Sequence, residues 1–174
     1  NVTDPAGQAE GLVTEKLCRL PDTFLCYKYP DALPDVSCRA VLTPGKIVFG
    51  TFNDAGKFSP SVMKVWCEIL KQIPEAELVF KGRQFGEAKS KEFMIHNFKK
   101  YGVDETRLRL LAFNPSRDGH METYHQVDVA LDPFPYNGTT TSFEALWMGV
   151  PFISKKGDRH CARVGMSLLK SIGL

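Results

Sequence analysis

The sequence predicts an α/β domain of the Rossmann-like type, in which helices cover both faces of a parallel β-sheet. Two observations support this prediction. Five short apolar segments with strand-like composition alternate with five segments of helical periodicity, at spacings that suit βα units. Loops rich in Gly, Asn, Asp and Ser follow the candidate strands, and such loops line the ligand crevice of an open α/β sheet. The domain is expected to cover residues 44–174.

The first part of this domain contains three predicted strands and two predicted helices. Ser59 can cap a helix that begins with Pro60, and Gly102 can end the helix that follows the second strand. In chain order, the elements are a strand over Lys46–Thr51, a helix with Val62, Val65, Trp66, Ile69 and Ile73 on one face, a strand over Glu77–Lys81, an amphipathic helix over Lys89–Lys100 and a strand over Arg107–Phe113.

The second part of the domain continues the alternation. No GxGxxG follows the first strand, so the dinucleotide fingerprint is absent and a hydride-transfer function is excluded. In chain order, the elements are a helix over Gly119–Gln126, a strand over Val127–Leu131, a helix over Ser142–Met148 that Gly149 ends, a strand over Pro151–Ser154 and a helix over Arg163–Ile172.

Residues 1–43 differ from the rest of the chain because they are rich in Pro, Asp and Gly. One short helical candidate lies around Glu10–Leu20, and several apolar residues follow it. Such a segment would make a poor independent domain. We therefore interpret residues 1–43 as an arm or linker whose deletion up to about Asp22 leaves the stability of the domain nearly unchanged.

The segment Leu131–Pro151 contains the main functional signal. Asp132, Pro133 and Pro135 end its strand, and Asn137-Gly138 predicts a turn in which Gly138 adopts a positive φ. Thr139, Thr140 and Thr141 then stand at the start of a helix, whose unpaired N–H groups and dipole favour a phosphate. Glu144, one turn later, can accept hydrogen bonds from ribose hydroxyls. The alternative is an ordinary capped helix after a proline turn.

Composition narrows the possible partners and cofactors. A net charge of +2, without a Lys/Arg block longer than a pair, argues against nucleic acid, and no apolar run approaches the length of a membrane span. A cytoplasmic location is therefore expected. The five cysteines lack CxxC spacing, and no Asp-x-Asp stands where a divalent ion would hold a diphosphate. We expect reduced thiols, no cofactor and metal-independent chemistry.

The run Asn137–Pro151, together with Gly157–His160 and Arg163–Leu169, closely resembles the carboxyl-terminal catalytic half of the O-GlcNAc transferase family, which includes the SPINDLY-type transferases. The resemblance covers nearly the whole chain and implies the carboxyl-terminal half of a GT-B glycosyltransferase. The stretch TEKLCRLPDTFLCY is similar to the family segment that links the two catalytic halves. The resemblance therefore implies a fragment of a longer protein that carries tetratricopeptide repeats.

The resemblance also implies roles for individual residues. Lys57 matches a family lysine that contacts the donor diphosphate, and it is the catalytic candidate. His120 matches a histidine that stacks on the donor base, with the basic residue Arg117 three positions earlier. The other donor-binding candidates are Asn137, Gly138, Thr139, Thr140, Thr141 and Glu144.

At two places the chain departs from the family pattern, and at a third the role of the residues is open. Human-type members have a glutamine where Asp54 stands, so the role of Asp54 is open. O-GlcNAc transferases proper have Gly-His-Thr-Thr where this chain has Gly138–Thr141, which is more similar to bacterial and SPINDLY-type members. Asp158, Arg159 and His160 either line the sugar site or form a solvated loop.

The leading functional expectation is the donor-binding half of an enzyme that transfers N-acetylglucosamine from UDP-GlcNAc to Ser or Thr hydroxyls of proteins. SPINDLY-type O-fucosyl transfer from GDP-fucose is the first alternative, and a non-catalytic nucleotide-binding or interaction module is the second. A further alternative on the same scaffold is a sugar-nucleotide epimerase or a glycan-directed transferase, which the resemblance at Lys57, His120 and Asn137–Thr141 disfavours. The protein acceptor is expected to bind the missing amino-terminal half and repeats, so the isolated fragment should bind donor without turnover.

Overall fold

A computed structural model describes residues 2–21, 23–28, 36 and 45–174 of the chain. Its centre is a parallel five-stranded sheet with strand order β3-β2-β1-β4-β5. The predicted fold class is therefore confirmed. The strands are β1 (Val48–Thr51), β2 (Glu77–Lys81), β3 (Leu108–Leu111), β4 (Val129–Leu131) and β5 (Phe152–Ile153).

In the described ranges, five α-helices accompany these strands, and short 3-10 helices connect several of them. The predicted third helix, Gly119–Gln126, is divided into an α-helical part and a 3-10 helix over Thr123–Gln126. The predicted fourth helix begins two residues earlier than expected, at Thr140. The α-helices are α1 (Pro60–Gln72), α2 (Ala88–Lys100), α3 (Arg117–Glu122), α4 (Thr140–Trp147) and α5 (Val164–Ser171).

Local signals at the helix ends are confirmed. The Ser59 hydroxyl accepts a hydrogen bond from the N–H of Val62, and Pro60 is the first residue of α1. Gly102 and Gly149 adopt φ values of 82° and 71° just after α2 and α4, as expected for glycines that end helices.

The apolar face of α1 differs from the prediction at one position. Val65 is 44% exposed, whereas Met63, Cys67 and Leu70 are buried. The helix therefore presents a face rotated from the predicted one. Burial also raises the pKa of the Cys67 thiol to about 11, which keeps it protonated and unreactive.

Both faces of the sheet are packed, as its alternating side chains require. In β2, Leu78 and Phe80 belong to the core beside α1 and α2. Val79 belongs to the opposite core, with Met121 from α3 and Ala145 from α4. The position of α3 and α4 therefore depends on the second core.

The predicted helix over Glu10–Leu20 is wrong, because the described arm contains only a 3-10 helix over Glu10–Leu12. Gly11 and the β-branched Val13 and Thr14 disfavour a longer helix. The arm packs on the carboxyl-terminal part of the chain. Its contacts there include Asp4 with His160, Gln8 with Arg163, Thr23 with Ser167 and the stacked rings of Tyr27 and Phe143. The predicted boundary between residues 43 and 44 lies outside the described residues and stays a prediction.

The strand order locates the ligand crevice. From β1 the chain proceeds outward through β2 and β3, and it then returns to the other side of β1 to form β4 and β5. The order therefore reverses between β1 and β4, and in open α/β sheets ligands bind at the carboxyl ends of the strands at such a point. None of the helices in the described ranges is both long and apolar enough to cross a membrane.

Candidate functional site

Three chain segments meet at the carboxyl edge of the sheet beside this reversal. They are the loop after β1, the loop between β4 and α4, and helix α3, which follows β3. The predicted site residues occur on these segments and at the start of α4. The structure gives the distances between these residues, which the sequence alone does not contain.

Lys57 joins the first two segments. Its ammonium donates to the backbone oxygen of Asn137 at 2.9 Å and to Oδ1 of Asn53 at 3.2 Å. It also lies 4.4 Å from the centre of the Tyr136 ring. Burial lowers the pKa of Lys57, and the negative charges of Asp132 and Asp54 act in the opposite direction. Lys57 is thus a half-buried cation directed at the Asn137–Thr141 loop.

Gly138 is required in this loop for space. The predicted positive φ is wrong, because Gly138 is not among the described glycines with a left-handed backbone. A Cβ at this position would lie 2.7 Å from Oγ1 of Thr141 and 2.9 Å from Oδ1 of Asn53. The glycine therefore lets the loop approach the segment after β1, and the hydroxyl of Thr141 donates to Asn53 Oδ1 at 3.2 Å across that contact.

The backbone N–H groups of the loop divide into two sets. Asn137 donates its N–H to the carbonyl of Cys161 at 2.9 Å, and Gly138 donates to Oδ1 of Asp132 at 2.6 Å. Within the described part of the chain, the N–H groups of Thr139, Thr140 and Thr141 have no acceptor. These three groups lie at the N-terminus of α4, so an anion can bind there.

The side chains of the loop have different surroundings. The Asn137 amide is buried and holds the fold together, because Nδ2 donates to Pro133 O and Oδ1 accepts the N–H of Gly165. The backbone groups of Asn137 are bonded as well, the N–H to the Cys161 carbonyl and the carbonyl to the Lys57 ammonium, so Asn137 shapes the loop. Thr139 does not cap α4 with its side chain, and Thr140 is exposed. The ordinary-cap interpretation of these threonines is not supported by a capping hydrogen bond.

From the sequence, Asp132 is predicted only to end a strand. In the structure it is buried, and its carboxylate accepts hydrogen bonds from Gly138 N–H and Ser154 Oγ, each at 2.6 Å. Burial raises the pKa of Asp132 to about 6, although both hydrogen bonds and the charge of Lys57 lower it. An acid at the end of an apolar strand, just before two prolines, was the available signal.

His120 and Glu144 are brought together on the other side of the crevice. His120 Nε2 lies 3.1 Å from Glu144 Oε2, which also accepts a hydrogen bond from the hydroxyl of Tyr124 at 3.2 Å. Tyr124 contacts the carbonyl of Thr141 at 3.1 Å as well. The rings of Phe52 and Phe113 flank His120, with centroids at 6.0 and 6.4 Å. The result is an aromatic wall with one carboxylate.

Lys81 is a second residue that sequence reasoning missed. It ends β2 and is only 3% exposed. Its ammonium donates to Thr123 Oγ1 at 2.8 Å and to the carbonyl of His120 at 3.1 Å. Burial lowers the pKa of Lys81 to about 8, and the charge of Glu144 opposes that shift. A lysine directly after three apolar strand residues was the only signal, and a lone lysine is usually a surface residue.

Comparison with known proteins identifies the family. The family model described as glycosyl transferase family 41 matches residues 34–174. The chain belongs to glycosyl transferase family 41. A relative from Petunia hybrida, named probable UDP-N-acetylglucosamine-peptide N-acetylglucosaminyltransferase SPINDLY, is 39% identical over 100% of this chain and 19% of its own length. The corresponding Arabidopsis thaliana protein is 38% identical, with the same coverage of both chains.

A solved structure of a mutant O-GlcNAc transferase from Thermobaculum terrenum has the same fold. It superposes with a TM-score of 0.90 and 35% identity over 99% of this chain and 32% of that chain. The fold of this family 41 chain is therefore the Rossmann-like carboxyl-terminal half of a GT-B glycosyltransferase. The chain spans about a fifth of the length of the curated relatives it matches.

The remaining predicted positions of this family 41 chain are exposed. Arg117 is exposed in the first turn of α3. Asp54 accepts the N–H of Gly56 at 2.7 Å, which gives it a local role at the start of the turn that carries Lys57. His160 contacts Asp4 of the arm, while Asp158 and Arg159 are exposed. In the ranges that the structure covers, no three His, Cys, Asp or Glu side chains are grouped to hold a metal ion.

Proposed function

We propose that the chain is the donor-binding half of a glycosyltransferase that moves N-acetylglucosamine from UDP-GlcNAc to Ser or Thr hydroxyls of proteins. The observation that carries this proposal is that the N–H groups of Thr139, Thr140 and Thr141, beside the Lys57 ammonium, have no acceptor among the described residues. They lie at the point where the strand order reverses. A helix N-terminus and an adjacent cation together form a site for a diphosphate.

Lys57 is positioned to contact the diphosphate of the bound donor and to stabilise it while the bond to the sugar breaks. Its ammonium already contacts the backbone of Asn137 at 2.9 Å, so it lies next to the N-terminus of α4. Negative charge grows on the diphosphate as the bond to the sugar breaks, and a fixed cation stabilises that charge. Lys57, the helix dipole and the N–H groups would supply this stabilisation, so the proposed reaction needs no metal.

The base and ribose would occupy the aromatic wall. His120 presents a planar ring between Phe52 and Phe113, and a nucleobase can stack on such a ring. Glu144 Oε1 has no hydrogen-bond partner in the described residues, whereas Oε2 is held by His120 and Tyr124. Oε1 is therefore the atom that we assign to the ribose hydroxyls. Arg117, at the start of α3, would approach the donor from the rim.

The relatives support a sugar-nucleotide donor and a protein acceptor. Their names describe transfer of N-acetylglucosamine from UDP-N-acetylglucosamine to peptide. A relative named SEC from Arabidopsis thaliana carries the same activity in its name and is 28% identical over 94% of this chain. We propose that the protein acceptor binds regions equivalent to those parts of the longer relatives that lie outside the match with this chain.

A second candidate is O-fucosyl transfer from GDP-fucose. The observation that favours it is Thr139, which stands where O-GlcNAc transferases proper have a histidine. Thr139 is half-buried at the start of α4, so it would contact the donor near the diphosphate and sugar. The two candidates share the diphosphate site and differ in the base and the sugar.

Calorimetric titration of the 174-residue chain tests the proposal. UDP and GDP are the ligands, uridine and guanosine are the phosphate-free controls, and UDP-GlcNAc and GDP-fucose identify the sugar. We expect one of the two diphosphates to bind and its nucleoside to bind more weakly. We also expect no transfer to peptide by the isolated chain. Binding of neither diphosphate would instead indicate a non-catalytic module that has kept the fold and lost the ligand.

A further inference from the structure

Asp132 is a buried carboxylate beside the proposed diphosphate site. It is 5% exposed and immediately follows β4. Two different segments donate to its carboxylate at 2.6 Å, namely the loop through Gly138 N–H and the residue after β5 through the Ser154 hydroxyl. Asp132 thus connects the end of β4, the residue after β5 and the Asn137–Thr141 loop.

The packing around Asp132 is specific for this arrangement. A Cβ added at Gly165, near the start of α5, would lie 2.1 Å from Ser154 Oγ and 2.9 Å from Asp132 Oδ2. Only a glycine leaves room there for the carboxylate and its hydroxyl donor. The two bonds to Asp132 therefore belong to a closely packed site and are not incidental surface contacts.

The first of these bonds determines which loop groups face the crevice. Gly138 donates its N–H inward to Asp132, and the next three N–H groups, from Thr139 to Thr141, have no acceptor in the described part of the chain. Loss of the Asp132 acceptor would leave the Gly138 N–H buried and unpaired. The loop would then rotate to satisfy it, because an unpaired buried donor is unfavourable.

We propose that Asp132 is a positioning residue for the donor diphosphate, and that it takes up a proton when the diphosphate binds. This inference rests on the proposed function, because it requires a diphosphate at the N-terminus of α4. Asp132 would hold the loop through Gly138 and would contact the donor only through that loop. No bond to the donor forms or breaks in the proton uptake, and the proton comes from solvent.

The charges around Asp132 explain the proton uptake. Lys57, from the loop after β1, is the charged group that acts on Asp132, whereas β5 and α5 present the neutral Ser154 and Gly165. The pKa of Asp132 is already raised to about 6 by burial. A bound diphosphate adds negative charge nearby and competes for Lys57, and both effects favour the protonated carboxyl.

The test measures both affinity and proton count. The 174-residue chain is titrated with UDP-GlcNAc and GDP-fucose, whose diphosphate diesters do not titrate near neutral pH, in buffers of different ionisation enthalpy. The variants are Asp132→Asn, which keeps a hydrogen-bond acceptor, and Asp132→Leu, which has none. Asp128→Leu is the matched control, because Asp128 is also buried and accepts the Val48 N–H at 2.6 Å at the opposite end of β4.

The wild-type chain should take up roughly half a proton per donor at about pH 6.5, and Asp132→Asn should lose that uptake. Asp132→Asn should bind donor within about threefold of wild type, whereas Asp132→Leu should bind about tenfold or more weakly. Uridine or guanosine affinity should change by less than about twofold in either variant, and Asp128→Leu should leave all affinities unchanged.

Equal proton uptake by wild type and Asp132→Asn would overturn the inference, and so would donor affinity unaffected by Asp132→Leu. A parallel loss of nucleoside affinity would show that Asp132 only supports the fold. If Asp132→Leu does not fold, the proton count of Asp132→Asn decides. Wild-type chain that binds neither donor would overturn the proposed function itself, and the inference with it.

Discussion

The two walls of the crevice are built from different kinds of groups. The proposed phosphate wall, which consists of Asn53, Lys57, Asp132 and the Asn137–Thr141 loop, presents backbone N–H groups of a loop that is bonded through Gly138 to the buried Asp132 carboxylate. The proposed base wall, which consists of Lys81, His120, Tyr124 and Glu144, presents side chains from β2, α3, the adjacent 3-10 helix and α4. Substitution of Asp132 should therefore act through loop geometry, whereas substitution of Lys57, Thr140 or a base-wall residue should act through individual side-chain contacts.

The buried charges of the two walls also differ in sign. The phosphate wall contains an acid whose pKa is raised to about 6, and the base wall contains a lysine whose pKa is lowered to about 8. Burial is the main cause in both cases. The pKa values of Asp132 and Lys81 therefore both lie near neutral pH. The two groups can be told apart because their titrations change the stability of the chain in opposite directions as pH rises.

The largest expected effect is on the pH dependence of stability in Asp132→Asn. The pKa of Asp132 rises from 3.8 to about 6 on folding, so the folded state binds more protons between these values. The contribution of Asp132 to stability is therefore lost as pH rises through about 6. Relative to wild type, Asp132→Asn should gain on the order of 2 to 3 kcal/mol in unfolding free energy between about pH 4 and 7.

Urea denaturation over that pH range measures the difference. A constant difference in unfolding free energy between Asp132→Asn and wild type would show that Asp132 does not titrate with a raised pKa.

Lys81 provides the opposite case on the base wall. Its lowered pKa means that the unfolded state binds more protons between about pH 8 and 10.5, so its contribution should make stability rise with pH there.

Lys57→Ala should have the next largest effect, on ligand affinity. A charge-assisted hydrogen bond to phosphate contributes about 1.5 to 3 kcal/mol, and a nucleoside lacks that partner. Diphosphate affinity should fall accordingly, and nucleoside affinity should not change. Lys46→Ala is the control, because Lys46 pairs with Glu77 at the opposite edge of the sheet. Calorimetry that finds equal losses for diphosphate and nucleoside would place Lys57 outside the phosphate wall.

Glu144→Ala should weaken nucleoside binding by about 1 to 2 kcal/mol, because it removes the acceptor for ribose and the partner of His120. The 2′,3′-dideoxy analogue lacks the ribose hydroxyls and should lose less. Glu144→Gln, which keeps an acceptor beside Tyr124, should show a smaller loss. If the dideoxy analogue loses as much as the parent nucleoside, the carboxylate only holds His120 in place.

Thr140→Val should have the smallest effect, about 0.5 to 1.5 kcal/mol in diphosphate affinity. The Thr140 hydroxyl is exposed at the first position of α4, so its loss should leave the N–H groups and the stability of the chain unchanged. Thr140→Ser keeps the hydroxyl and should bind like wild type. A stronger effect of Thr140→Val on the nucleoside than on the diphosphate would assign Thr140 to the other wall.

The sequence was most informative where local chemistry determines the structure. The Ser59-Pro60 start of α1 and the glycine ends of α2 and α4 could be predicted, because capping involves residues within a few positions of one another. The segments that meet at the crevice could also be predicted, because strand ends of a parallel sheet share one edge. The resemblance to a known family supplied the candidate roles of Lys57 and His120.

The sequence was least informative where distant residues decide. The role of Gly138 depends on Asn53, which is far away in sequence, so the turn signal alone gave a wrong φ. Asp132 and Lys81 end apolar strands, and only the folded chain shows that their partners lie on other elements. The helix predicted in the arm is wrong because Gly11 and its neighbours disfavour a helix despite the apolar pattern.

The amide resonances of the Asn137–Thr141 loop test the central claim most directly. Titration of isotope-labelled chain with the diphosphate that binds, and separately with its nucleoside, separates the two walls in one experiment. We predict large shifts of the Thr139, Thr140 and Thr141 amides with the diphosphate alone, and a smaller shift of Gly138, whose N–H is held by Asp132. The His120 ring should respond to both ligands. Diphosphate binding that leaves the three threonine amides unmoved would contradict the account.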